Sequence, residues 1–243
     1  MTEFEERFGK TPVFLVKFAD EEWKLEELAK GILYLSTVKY FQDLEKEGMG
    51  DNYDCKEVLT ETDIQMYTDN TKKHLVYAGK GEATITDIED CKRHIFCTTC
   101  IEFKDLNITK ESENYFKVSL FYTDEQKKKM KENFGEYALI IKFKKFIDRI
   151  ETVFNRENII GAMGKANYVD YSKNRIDRIT SFLENTPDKF FWKRLKYKYQ
   201  NEFRIAVLNR TSNDAIKIDI GDISEFTELL PVDELCEFST GMV

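Results

Sequence analysis

The chain carries 243 residues, 14% aromatic and 34% charged, with a formal net charge of -8. That length suits one large domain or two small ones with ample material for a core, and the aromatic content excludes a disordered chain. The acidic balance excludes generalised attraction to a phosphate backbone, and no apolar run reaches the ~18 residues of a membrane span.

The opening Met1-Thr2-Glu3-Phe4-Glu5-Glu6-Arg7 is charged and lacks the apolar core of a signal peptide. Residues 13–18 form a short apolar run that reads as a buried strand. Asp20 follows as an N-cap, with Glu21 and Glu22 in a first turn where the helix dipole favours negative charge. Leu25, Leu28 and Ala29 then recur at core-facing helical spacing, and Gly31 closes the helix. Residues 32–36 read as a second strand. Ser36 or Thr37 caps a second helix carrying Val38, Tyr40, Phe41 and Leu44, which ends at Gly48-Met49-Gly50-Asp51.

Residues 51–83 are polar and weakly patterned, which predicts short strands, exposed loops and a turn at Ala78-Gly79-Lys80-Gly81. Strands follow over 83–88 and 94–103. Thr123-Asp124-Glu125-Gln126 is a capping box opening a helix that ends near Gly135, with Lys127, Lys128, Lys129 and Lys131 on a solvated face. Residues 137–143 and 159–171 read as strands, the latter irregular at Gly161 and Gly164. Ile176, Ile179 and Leu183 mark a helix stopped by Asn185 and Pro187. Residues 215–220 alternate as a strand, and Gly221-Asp222 starts a last helix that ends before Pro231. No repeat, linker or domain boundary interrupts this order. The expectation is one mixed α+β domain over residues 1–243 with a central, mostly antiparallel sheet.

The most informative stretch is 190–208, a short aromatic helix running into an alternating strand. Side chains two apart share a strand face, so Phe203, Ile205 and Val207 make an apolar face while Gln200, Glu202 and Arg204 line the other. A carboxylate between an amide and a guanidinium, within the most aromatic segment, is the candidate catalytic group. The plainer reading is a polar face meeting water, with Glu202 and Arg204 an exposed pair worth little. Lys189, Lys193, Arg194, Lys196, Lys198 and Arg204 form a local basic patch there.

Five unevenly spaced cysteines fit a reduced, cytoplasmic protein better than a disulfide framework. Cys91, His94, Cys97 and Cys100 are zinc-ligand types at three-residue spacing, but Cys97 and Cys100 fall in a strand, where positions three apart face opposite sides. Buried strand cysteines are favoured, and no metal is expected. Glu45, Glu47, Asp51 and Asp54 form an acidic loop that reads as solvated before it reads as an ion site. Neither His74 nor His94 stands beside a nucleophile with an acidic partner, and no phosphate-loop or dinucleotide motif occurs.

Two segments resemble an uncharacterised domain family of bacterial and phage genomes. One is residues 31–43, Gly31-Ile-Leu-Tyr-Leu-Ser-Thr-Val-Lys-Tyr-Phe-Gln-Asp43, with its acidic loop. The other is Tyr199-Gln-Asn-Glu-Phe-Arg204 with the Ile-Asp-Ile-Gly-Asp222 strand end. The resemblance implies a role in bacteria–phage conflict, as a defence effector or counter-defence factor. The layout is also similar to the ADP-ribosyltransferase superfamily, with Gln200-x-Glu202 matching its late Gln-x-Glu and Leu35-Ser36-Thr37 a loose match to its Ser-Thr strand end. The first strand offers Lys17 where that superfamily has Arg or His. The resemblance implies NAD as substrate, with Lys17, Ser36, Thr37, Tyr40 and Phe41 binding it and Glu202, Gln200 and Arg204 catalytic. Glu202 would stabilise the oxocarbenium-like centre formed as nicotinamide leaves. The competing expectations are a non-catalytic inhibitor or sensor, meeting a protein or nucleic-acid partner through Lys193, Arg194, Lys196 and Lys198, and a metal-dependent nuclease using the acidic loop.

Overall fold

The computed structural model describes residues 9–44, 49–68, 73–112, 115–120 and 122–242. In chain order it runs β1 (Pro12–Ala19), α1 (Glu22–Ala29), β2 (Ile32–Thr37), α2 (Val38–Asp43), β3 (Glu57–Thr68), β4 (Lys73–Ile85), α3 (Ile88–Cys91) and β5 (His94–Glu102). It continues with β6 (Leu106–Ser112), β7 (Tyr115–Leu120), α4 (Asp124–Phe134), β8 (Tyr137–Lys142), α5 (Phe143–Arg156), β9 (Gly161–Lys165), β10 (Asn167–Val169) and α6 (Ile176–Leu183). The last elements are β11 (Trp192–Arg194), β12 (Glu202–Val207), β13 (Ile216–Asp219), β14 (Thr227–Pro231) and β15 (Ser239–Met242). The class is α+β around a central antiparallel sheet.

Strand β5 organises that sheet. Along one edge it pairs with β12 over the whole of Glu202–Val207, and β12 pairs in turn with β9. The opposite edge is shared by two strands: β1 holds its C-terminal part, up to Val16 opposite Thr99, and β2 holds its start, with Ser36 opposite Ile95 and Thr37 opposite His94. Beyond β1 the sheet continues through β8 to β14; beyond β2 it continues to β13. Between these two arms residues 96–98 of β5 have no strand partner on that edge among the described residues. The sheet therefore forks, and a fork must be lined by something other than backbone.

Below the sheet, α5 supplies Phe146, Ile150, Val153 and Phe154 to a core shared with Leu15, Phe96, Leu139, Phe203, Ile205 and Val207. These helix positions follow the i, i+4, i+7, i+8 spacing of an apolar stripe, and each such side chain stabilises by roughly 1.5–3 kcal/mol when fully buried. Gly31 follows α1 at φ +96°, and a Cβ there would stand 2.1 Å from the Gly221 carbonyl oxygen, so the turns flanking the β2–β13 pair pack closely only through glycine.

The opening strand–helix–strand–helix order is as read, with the first helix starting one residue later, behind Glu21, and Thr37 capping α2 through Tyr40 N–H. The capping box at Thr123 is present in both directions. Four expectations are corrected. β3 and β4 pair as two long antiparallel strands rather than short strands and loops, and Gly79 and Gly81 lie within their ladder, beside an irregularity that absorbs the extra residue. Residues 159–171 divide into β9 and β10, which belong to different sheets. The expected last helix is a 3-10 turn at Ser224–Phe226 followed by β14, because the open edge of β8 takes a strand. Helix α6 is present but turns Arg178 and Ser181 inward and leaves Ile176 and Leu183 exposed. No helix among the described residues is long and apolar enough to cross a membrane.

Candidate functional site

The alternation that starts at Glu202 does not extend back to Gln200. Gln200 ends a 3-10 turn (Leu195–Gln200), and Asn201 follows in the left-handed region at φ 42°, ψ 52°. Asn201 tolerates that conformation because its short side chain bonds locally, here to the Cys100 carbonyl. From there β12 enters the sheet with both faces covered. Phe203, Ile205 and Val207 enter the main core as expected, but the polar face does not meet water: Glu202 is 5% exposed and Arg204 0%.

Three segments close over that face. The turn after α2 brings Asp51 and Asp54, the turn Pro187–Phe190 brings Lys189, and β11 brings Lys193. Arg204 bridges two carboxylates, with Nε donating to Glu202 Oε1 at 2.8 Å and Nη2 to Asp54 Oδ1 at 2.8 Å. Its Nη1 donates to the Phe190 carbonyl at 2.8 Å. Lys193 Nζ donates to the other oxygen of Glu202, Lys189 pairs with Asp90, and Arg194 pairs with Asp51 at 2.6 Å. The expected basic surface patch is therefore corrected: Lys189, Lys193 and Arg204 are interior counter-ions, and only Lys196 and Lys198 of the set are exposed. The expected solvated acidic loop is corrected at Asp51 and Asp54, each 2% exposed; Glu45 and Glu47 lie outside the described residues.

Burial opposes the charge on Glu202, but the Arg204 guanidinium and Lys193 ammonium outweigh it and hold the carboxyl well below the usual carboxylate range. Asp54 goes the other way, since burial raises it against the pull of Arg204 and Lys193. Burial also pushes the Cys97 thiol far up, with Glu202 adding to the effect.

A cleft opens in the fork. Its inner end, a cavity of about 90 Å³, is lined by Asp54, Cys97, Thr99, Lys193, Gln200 and Glu202. The outer part, about 430 Å³, is lined by Trp23, Tyr34, Ser36, Tyr40 and Lys217 among others. Lys17, Phe18, Phe41, Met49, Cys97 and Phe134 line both. Lys17 stands where β1 leaves β5. Its ammonium donates to the Cys97 carbonyl at 2.8 Å, a group the fork has deprived of a strand partner, and lies 4.8 Å from the Phe96 ring centre. Burial lowers the Lys17 pKa. Among the described residues that line the cleft, Lys17, Lys24, Lys193 and Lys217 stand with Asp20, Glu27, Asp54 and Glu202, an even balance of cations and carboxylates. Lys17 is the cation without a carboxylate within 4.0 Å among the described residues. The cleft thus has room for a nucleotide-sized molecule, with the Lys17 ammonium on its wall.

Of the residues singled out in sequence, Lys17, Ser36, Tyr40, Phe41, Gln200 and Glu202 line this cleft. Thr37 does not; its hydroxyl is occupied in capping α2. Arg204 lies behind Glu202, where it positions the carboxylate and has no access to a ligand. His94 Nε2 is engaged with Ser212 Oγ at 3.0 Å and the Asp214 carbonyl at 3.1 Å, and Cys100 enters the core below the sheet, so these two do not converge with Cys91 and Cys97. Among the described residues no three His, Cys, Asp or Glu side chains gather as metal ligands. Sequence reading missed Lys193 as the counter-ion of Glu202 and Cys97 as cleft floor; nothing local marks either, because their roles depend on which strands pair. No family model, no curated protein and no solved structure matches the chain.

Proposed function

We propose that this chain is an NAD-consuming enzyme with an ADP-ribosyltransferase-like fold and reaction, acting in the cytoplasm on a protein or nucleic-acid acceptor. The observation that carries the reading is the forked sheet: the resemblance implies NAD contacts at Lys17, Ser36, Tyr40 and Phe41 and chemistry at Gln200 and Glu202, and these six line one cleft. A role in bacteria–phage conflict rests on the sequence resemblance alone.

Each side chain has work suited to its surroundings. Lys17, with no carboxylate within 4.0 Å among the described residues, meets the pyrophosphate. Tyr40 and Phe41, edge to face with ring centres 5.3 Å apart, offer a face on which nicotinamide stacks. Glu202 remains ionised at every physiological pH, so it is unsuited to general acid or base work, which needs a pKa near the working pH. It is suited to accepting a ribose hydroxyl and to stabilising positive charge that develops as the nicotinamide bond breaks. Lys193 and Arg204 fix its orientation. Gln200 orients the acceptor.

A specific observation favours a second reading. Both oxygens of Glu202 already hold a cation, which weakens its field, and a cleft of this kind suits a nucleotide sensor that binds without turnover. The version of that reading based on a basic surface patch loses its support, since Lys193 is buried. Of the acidic loop read as a nuclease site, the described members Asp51 and Asp54 are paired to Arg194 and Arg204.

Mass spectrometry of nicotinamide after incubation with NAD and cell lysate separates the two. Release by the wild type, reduced about 100-fold or more in Glu202→Gln, is the expected outcome. NAD that binds and stays intact would establish the sensor instead.

A further inference from the structure

Two carboxylates, not one, face the inner end of the cleft. Asp54 reaches it from the turn after α2 and Glu202 from β12, and Arg204 ties them together, Nε donating to Glu202 and Nη2 to Asp54 at 2.8 Å each, with Nη2 also 3.4 Å from the second Glu202 oxygen. They arrive from positions 148 residues apart, and the Gln42 amide fixes the backbone of Asp54 by donating to its carbonyl at 2.7 Å. Their anchoring differs. Glu202 is gripped on both oxygens, by Arg204 and by Lys193, whereas the side-chain partner of Asp54 is Arg204 on a single oxygen, Oδ1. The cavity that both line holds about 90 Å³, and a water needs roughly 10–15 Å³ of such room.

We propose that Asp54 is the general base of this site, taking the proton from the water or acceptor hydroxyl that attacks the ribose, while Glu202 holds the charge of the sugar. The assignment rests on the NAD reading above and adds the residue which that reading lacks. In the hydrolytic case the water oxygen bonds to the anomeric carbon as the carbon–nitrogen bond to nicotinamide breaks. That electron pair leaves with the ring nitrogen, which becomes neutral, and the water proton passes to Asp54 and then to solvent. Two carboxylates whose surroundings drive their pKa values apart are the pattern by which acid–base roles are divided, and here burial drives Asp54 up while Arg204 and Lys193 hold Glu202 down. Asp54 faces Arg204 and Glu202 on β12, Lys193 on β11 and Asp51 on its own turn, with Cys55 and Tyr171 beside it.

The test compares nicotinamide release from NAD by wild type, Asp54→Asn and Glu202→Gln, in water and with added azide, an anion that attacks without giving up a proton. The expected result is a loss of about 10²–10⁴-fold in Asp54→Asn, unchanged NAD affinity by calorimetry, and recovery with azide that Glu202→Gln does not share. The wild-type rate, read without any substitution, should rise with pH through one group above the usual carboxylate range. A pH-independent wild-type rate between about pH 4 and 8, or an Asp54→Asn loss that azide leaves in place, would overturn the role of Asp54 and leave the NAD reading standing. Absence of nicotinamide from the wild type would overturn both.

Discussion

The two faces of β12 are equally buried and differently built. Below the strand, Phe203, Ile205 and Val207 meet α5 and the neighbouring strands in an ordinary apolar core. Above it, Glu202 and Arg204 meet Asp54 and Lys193 in a charged interior. The lower face stabilises through area and shape and would tolerate other side chains of similar volume. The upper face gains little net stability, since desolvating such ions offsets most of their attraction. What it has in exchange is a fixed carboxylate and an open cavity beside it. The difference teaches where to look for function: on the face whose construction stability alone does not explain.

The largest expected effect comes from breaking the upper face by half. Arg204→Ala strands Glu202 and Asp54 without their shared cation and should cost about 3–5 kcal/mol in urea denaturation; a loss below 1 kcal/mol would mean the cluster is wetter than it stands here. Next is the residue that decides which way the strand presents Glu202. A β-branched side chain is strained in the left-handed conformation of Asn201, so Asn201→Val should cost about 1–2 kcal/mol, while Asn201→Gly stays close to wild type by the same assay. On the lower face Ile205→Val should cost only about 0.5–1.5 kcal/mol and leave NAD affinity and turnover unchanged, which tests whether the faces are separable.

The finest contrast is in pH. Glu202 has its pKa lowered by folding, so the stability it adds is complete above its unfolded value of about 4.3 and is lost as pH falls through the folded value. Asp54 is raised by folding, so its contribution is present below its unfolded value of about 3.9 and is lost as pH rises through the folded one. Denaturation midpoints measured across the acid range should therefore lose their fall toward low pH in Glu202→Gln and their fall toward higher pH in Asp54→Asn. Parallel curves for the two variants would contradict the opposed shifts.

Much of the frame is legible in the sequence because its signals are local. Thr37 and the Thr123 box carry their caps within a few residues, and the apolar stripe of α1 is complete in eight, although its N-cap is Glu21 and not Asp20. Helix α5 was readable by the same logic from Phe146, Ile150, Val153 and Phe154, although the strand before it draws the eye away. The last strand was not readable, since β14 exists because β8 offers an edge. The site was half legible. Alternation on β12 singles out Glu202 and Arg204, but polar residues on a strand face look the same whether water or Asp54 lies opposite, and Asp54 is 150 residues from Arg204. The fork is invisible to any local pattern, because it arises from where β1 and β2 stop along β5.

On the proposed function, the charged face of β12 serves the cleft and not the fold. The most direct measurement replaces the whole cluster at once, with Asp54→Leu, Lys193→Met, Glu202→Leu and Arg204→Met in one chain, and records both urea stability and nicotinamide release from NAD. Exchange of a complete buried ion cluster for apolar groups of similar volume is often neutral or stabilising, so the expected result is a folded protein as stable as wild type or more so, with nicotinamide release abolished. A variant that fails to fold would contradict it by making the cluster structural. One that folds and still releases nicotinamide would contradict it by removing Glu202 from the chemistry.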